Sequence, residues 1–151
     1  MFKTILVALD LSPRSCKALE KAIQLSHLYG SVINLLNVHE EFLNKDEMIM
    51  SRVSVNSLQN TFQNISIKAK DKIKHLLHDM HGDDIKTTIN LREGKAGKTI
   101  VEFSNQISPD LIVIGSNGKD SISDYILGTT TSYVVDNSKF PVLVIPDLYN
   151  G

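Results

Sequence analysis

The chain has 151 residues, 42% hydrophobic and 22% charged, with a formal net charge of −1 and one cysteine, Cys16. That is the size of one domain, so a single unit over 1–151 able to bury a core without staples is expected, and the near-neutral balance gives no general attraction to nucleic acid. No apolar run reaches the roughly 18 residues that cross a bilayer, a lone cysteine makes no internal disulfide, and only Lys3 precedes the first apolar strand with no small-residue cleavage site, so a cytoplasmic protein is expected.

Residues 2–10 predict a strand built on Ile5, Leu6, Val7 and Leu9. Ser12-Pro13 then offers an N-cap and a proline at the first helical position. Ala18, Ala22, Leu25 and Tyr29 keep one helical face, and Gly30 stops the helix. Val32 to Val38 is the second strand. From His39 to about Ser54 the pattern loses any period, and a long, partly apolar loop is expected. Leu58, Phe62, Ile65, Ala69, Ile73, Leu76, Leu77 and Met80 mark a long amphipathic helix ending at Gly82. Ile85 to Leu91 reads as the third strand, and a short helix follows from about Gly97 to Ser104. The charge-free run Leu111-Ile112-Val113-Ile114, after Pro109-Asp110, reads as a central parallel strand. A helix from Thr129 to Asn137 and a last strand from Val142 to Ile145 complete the alternation, which predicts an α/β fold with a largely parallel sheet. Helices on both faces make it doubly wound and Rossmann-like, with ligands bound at the carboxyl ends of the strands, where Asp10, Val38, Gly94 and Gly115 fall.

The densest functional signal is Gly115-x2-Gly118-x9-Gly128-Thr129. Glycines directly after a buried strand let backbone N–H groups approach a ligand with no Cβ in the way. The helix opening at Thr129 presents free N–H groups and a positive dipole end to an anion, its hydroxyl adds a donor, and Lys119 adds charge. This layout resembles the ATP-binding signature of the universal stress protein family. Ile5-Leu6-Val7-Ala8-Leu9-Asp10-Leu11-Ser12 resembles that family's first strand and Asp-x-Ser turn, and Pro141-Val142-Leu143-Val144-Ile145-Pro146 its closing strand, so the resemblance spans the chain.

The resemblance implies a five-stranded sheet in the order 3-2-1-4-5, which brings Asp10 beside Gly115. It implies that Asp10 sits near the nucleoside, that backbone groups at Val38 read the adenine edge, and that Gly115, Gly118, Gly128, Thr129 and Thr130 surround ribose and phosphates. With the flanking strand residues Ala8, Leu9 and Ile114, and with Lys119, these form the expected binding set. The implied ligand is ATP, with Mg²⁺ carried on its phosphates, in a regulatory module of the stress response. The implied partners are an unidentified protein and a second copy of the chain, paired through the uncharged edge strand Val142–Ile145.

Other motifs weigh less. Gly94-Lys95-Ala96-Gly97-Lys98-Thr99 ends like a P-loop, but Arg92 stands where the first glycine belongs, so the anion nest cannot close in the usual way. Arg92, Lys95 and Lys98 then read as a solvated turn. A receiver domain needs an acidic pair after the first strand and a flavodoxin needs glycines there; Asp10-Leu11-Ser12-Pro13-Arg14 supplies neither. His75, His78 and His81 lie near a helix end, where they suit the dipole better than a metal. Cys16 reads as a core residue. Phosphoryl transfer needs a general base and cationic charge at the γ-phosphate. With neither evident, any hydrolysis is expected to be slow, and a slow ATPase or a dimeric interaction protein with a silent site are the alternatives.

Overall fold

The computed structural model describes residues 1–40, 55–117 and 127–148, without the side chains of 55–58. Among the described residues, five strands, β1 (Thr4–Ala8), β2 (Val32–His39), β3 (Thr87–Glu93), β4 (Leu111–Gly115) and β5 (Val142–Ile145), alternate with four helices. These are α1 (Pro13–Tyr29), α2 (Val55–Asp79), α3 (Ala96–Ile107) and α4 (Thr129–Asn137). All strand pairs are parallel and the order is β3-β2-β1-β4-β5, the order that the resemblance implies.

β1 is apolar from Ile5 onward because both of its faces are covered there. Ile5, Val7 and Leu9 pack with Ala18, Leu19, Ala22 and Ile23 of α1 and with Ile73 and Leu77 of α2. Leu6 and Ala8 face the other way, toward Ile100 and Phe103 of α3 and Val134 of α4. The same alternation sorts β2, with Ile33 and Leu35 on the first face and Leu36 and Val38 on the second.

Helix entry follows the sequence signals. The Ser12 hydroxyl accepts from the Ser15 N–H at 3.2 Å, Pro13 takes the first helical position, and Gly30 closes α1 at φ 66°. The end of α2 departs from expectation. The left-handed residue there is His81, at φ 56°, one position before the glycine. Gly82 is needed for space instead, since a Cβ would lie 3.1 Å from Ile23 Cδ1 and 3.3 Å from the Leu77 carbonyl oxygen. The third strand also begins two residues later than its apolar pattern suggests. Ile85 packs on the core from a turn, with its N–H donating to the Gly82 carbonyl at 3.2 Å. Residues 41–54 of the expected long loop lie outside the described residues.

Asp110, just before β4, ties the start of the chain to the sheet. Its Oδ2 accepts from the N–H groups of Lys3 at 2.8 Å and Thr4 at 2.9 Å. The Thr4 bond and then the Lys3 bond hold its carboxyl below the usual range. A depressed folded pKa contributes stability that is present above the unfolded value of about 3.9 and is lost as pH falls through the folded value. Asp110→Ala is therefore expected to lower the melting temperature at neutral pH, with the difference from wild type closing as the solution is acidified below about pH 4. Thermal melts across that range check it; a gap independent of pH would show that the carboxylate's charge is not the source.

Candidate functional site

At the carboxyl ends of β1, β2 and β4, on the face covered by α3 and α4, a cavity opens between the strands and the starts of the helices. Ala8, Leu36, Val38, Ile100 and Ile114 give it apolar walls, while Asp10, Ser15, Asn117 and Thr130 bring polar groups to it. Its volume is about 80 Å³, small beside the roughly 300–1,000 Å³ of sites that engulf a whole small ligand. Such a slot takes one flat ring and leaves the rest of a ligand at the mouth.

β1 ends where the chain must turn sharply into α1. Asp10 Oδ1 accepts from the Ser12 N–H at 2.9 Å, and Leu11 adopts a left-handed φ of 64°, a strained backbone for a non-glycine residue. One carboxylate oxygen of Asp10 thus shapes the helix entry while the residue also lines the cavity. Cys16, one turn into α1, is half-buried, and burial and then the nearby Asp10 charge push its thiol pKa up. That environment suits packing rather than nucleophilic chemistry.

Gly115 ends β4 in close contact with α1. A Cβ there would lie 3.1 Å from the Arg14 carbonyl oxygen and 3.2 Å from its carbon. Ser116 donates its N–H to Ile145 at 2.8 Å, and the Gly128 N–H returns to the Ser116 carbonyl at 2.9 Å. The two ends of the intervening segment are thereby held side by side, and α4 begins next to the cavity. Its three threonines divide the work. Thr131 is buried and donates to the Gly115 carbonyl at 2.8 Å, Thr130 lines the cavity, and Thr129 is exposed.

Of the residues singled out in the sequence, Ala8, Leu9, Asp10, Val38, Ile114, Gly115 and Thr130 line one cavity. Gly128 and Thr129 flank it without lining it, and Gly118 and Lys119 lie outside the described residues. Sequence reasoning missed Ser15, Leu36, Ala96, Ile100, Asn117 and Thr131. Leu36 was legible as the alternate neighbour of Val38, and Ile100 as the residue one helical turn beyond Ala96. Asn117 carried no such signal.

The P-loop-like segment is accounted for locally. The Ala96 N–H at the start of α3 donates to the Glu40 carboxylate at 2.6 Å, and a Cβ on Gly94 would strike Thr99 Oγ1 at 2.6 Å. Arg92 places its guanidinium 5.2 Å from the Phe103 ring centre, and Lys98 pairs with Glu102 at 3.7 Å. His78 contacts Asp83 at 2.8 Å, and His75 Nδ1 lies 2.7 Å from the Asp71 carbonyl.

No lysine or arginine lines the cavity among the described residues. Phosphate groups at its mouth would be met by backbone N–H groups and hydroxyls, a donor set that suits an anion without neutralising it. No helix among the described residues is long and apolar enough to cross a membrane.

Comparison with known proteins gives a consistent picture. The model of the universal stress protein family matches residues 1–146. Universal stress protein MJ0577 of Methanocaldococcus jannaschii is 27% identical over 154 residues, covering 96% of this chain and 95% of that protein. The structure of that protein superposes with a TM-score of 0.80 at 26% identity, covering 99% of each chain. Universal stress protein UspA from Lactobacillus plantarum superposes with a TM-score of 0.74 at 24% identity over 95% of this chain and 97% of that one. A universal stress protein from Archaeoglobus fulgidus, solved in complex with dAMP, shares the fold at a TM-score of 0.62 and 17% identity over 96% and 98% of the two chains.

Proposed function

The chain belongs to the universal stress protein family, and from that premise we propose that its cleft binds an adenine nucleotide, ATP in the first place, and that occupancy of this site sets the state of a regulatory module in the stress response. The observation that carries the reading is the slot itself. Ala8, Leu36, Val38, Ile100 and Ile114 offer apolar surface to a flat base, and Asp10, Thr130 and the start of α4 stand where ribose and phosphates would follow. The dAMP complex of the Archaeoglobus fulgidus protein supports the same ligand class. The first turn of α4, which has no side-chain cap, adds the backbone donors that phosphates need. Mg²⁺ fits this arrangement as a counter-ion carried on the phosphates, because the cavity brings no cation of its own among the described residues.

Isothermal titration of chain stripped of carried-over ligand, with ATP, ADP, AMP and GTP in Mg²⁺ buffer, tests the reading. Adenine nucleotides are expected to bind in the micromolar range and GTP more weakly. Absence of binding by the folded chain, or equal binding of GTP, would overturn it.

The same reading makes the chain a single domain that pairs with a second copy through β5. That strand is at the sheet edge, and Val142, Leu143 and Val144 are only partly buried. An uncharged edge of this kind invites pairing across a two-fold axis. Light scattering after gel filtration is expected to give twice the chain mass, reduced to the monomer by a charged substitution at Leu143. A monomer for the wild type at every concentration would sink the dimer.

A further inference from the structure

At the opposite edge of the sheet from β5, β3 has no strand beside it among the described residues. Its free edge can be read from two hydrogen bonds. Ile33 donates its N–H to the Lys86 carbonyl at 3.0 Å at one end, and Gly94 donates to the His39 carbonyl at 3.0 Å at the other. In a parallel ladder between those bonds, Thr88, Asn90 and Arg92 turn both backbone groups toward β2. Thr87, Ile89, Leu91 and Glu93 therefore turn theirs outward. The Leu91 carbonyl is met by the Arg92 guanidinium at 3.0 Å; the Ile89 N–H and carbonyl and the Leu91 N–H have no partner among the described residues.

A groove of about 440 Å³ runs along this edge between β3 and α2. Phe62, Ser66, Ile67 and Lys70 come from the helix, and Ile89 and Leu91 from the strand. Three observations say what fits it. The open backbone groups recur every second residue, about 6.6 Å apart, a spacing matched by extended polypeptide. Ile67 is 59% exposed on the groove wall, while the Ser66 hydroxyl is shielded from solvent and makes no hydrogen bond among the described residues. Lys70 lines the groove without an ion pair among the described residues, and exposed Lys74 follows one helical turn on.

We propose that this groove docks an extended segment of a partner protein, added beside β3 as a sixth strand, with an apolar side chain against Phe62, Ile67 and Leu91 and an acidic side chain at Lys70. The peptide backbone supplies the hydrogen bonds and the two side chains supply selectivity. The groove lies at the β3 edge on the face covered by α2, away from the cleft on the α3 and α4 face, so the proposal stands apart from the nucleotide reading.

A random octapeptide library displayed on phage, selected on the full chain, tests it. Enriched peptides are expected to alternate apolar residues and to carry Asp or Glu. A synthetic copy of an enriched peptide should shift the amide resonances of Ile89 and Leu91 in the ¹⁵N-labelled chain. Ile67→Asp and Lys70→Glu both alter exposed positions, and each should weaken that peptide about tenfold or more. No enrichment over the Ile67→Asp variant, a basic consensus, or shifts confined to other elements would overturn the proposal. Concentration-dependent shifts at β3 without peptide would also overturn it, by making a second copy the occupant.

Discussion

Gly115→Val is expected to lower stability before it reports on binding. The glycine at the end of β4 is a natural target, because the sequence places it where a backbone N–H would approach a phosphate. Yet a Cβ there would lie 3.1 Å from the Arg14 carbonyl oxygen, 3.2 Å from the carbonyl carbon and 3.4 Å from the Ser15 nitrogen. These are backbone atoms in the first turn of α1, and they cannot swing aside like the end of a flexible side chain. The first turn is itself fixed, because Ser15 donates to Ser12 and Arg14 pairs with Asp147 at 3.1 Å beyond β5. Overpacking of this kind costs about 1–3 kcal/mol, several degrees in melting temperature for a chain of this size. Circular dichroism melts of Gly115→Ala and Gly115→Val should show a graded loss without any nucleotide present. An unchanged melt together with lost binding would return Gly115 to a purely ligand-facing role.

That double duty shows where the sequence was legible and where it was not. The strands of the fold could be read because Ile5-Leu6-Val7 and Leu111-Ile112-Val113-Ile114 are buried on both faces and carry no polar alternation. The α1 boundaries could be read because Ser12, Pro13 and Gly30 are local signals whose hydrogen bonds close within a few residues. Strand order is a long-range property, invisible to local pattern, and it came from the family resemblance. Left-handed backbone at Leu11, His81 and Ser108 was not legible, since each is a non-glycine residue at a helix entry or exit, where the left-handed conformation is ordinarily signalled by glycine. The site divides in the same way. Asp10, Val38 and Gly115 follow from being strand ends, whereas Ser15 and Asn117 reach the cavity only because α1 and the chain after β4 return to one place. Thr131 would have passed for a third phosphate donor beside Thr129 and Thr130, but its hydroxyl is committed to the Gly115 carbonyl. Gly118, part of the motif that carried the resemblance, lies outside the described residues, and its role rests on the sequence alone.

Ala8→Leu should separate folding from binding in the opposite sense to Gly115→Val. Ala8 is buried on the α3 and α4 face and lines the cavity together with Leu36, Val38 and Ile114. A leucine there extends apolar carbons toward the cavity that Ala8 lines. Each buried methylene contributes about 0.8 kcal/mol, offset in part by adjustment of the neighbouring side chains, so the melting temperature is expected to hold or rise slightly. The same atoms occupy the slot proposed for the base. Affinity for ATP in the titration is expected to fall about a hundredfold, or ~2.7 kcal/mol. Thr129→Ala serves as the contrast, because Thr129 is exposed and outside the cavity; its loss should change affinity far less. If Ala8→Leu melts like wild type and still binds ATP unchanged, the nucleotide does not enter this slot, and the apolar walls of the cavity serve packing alone.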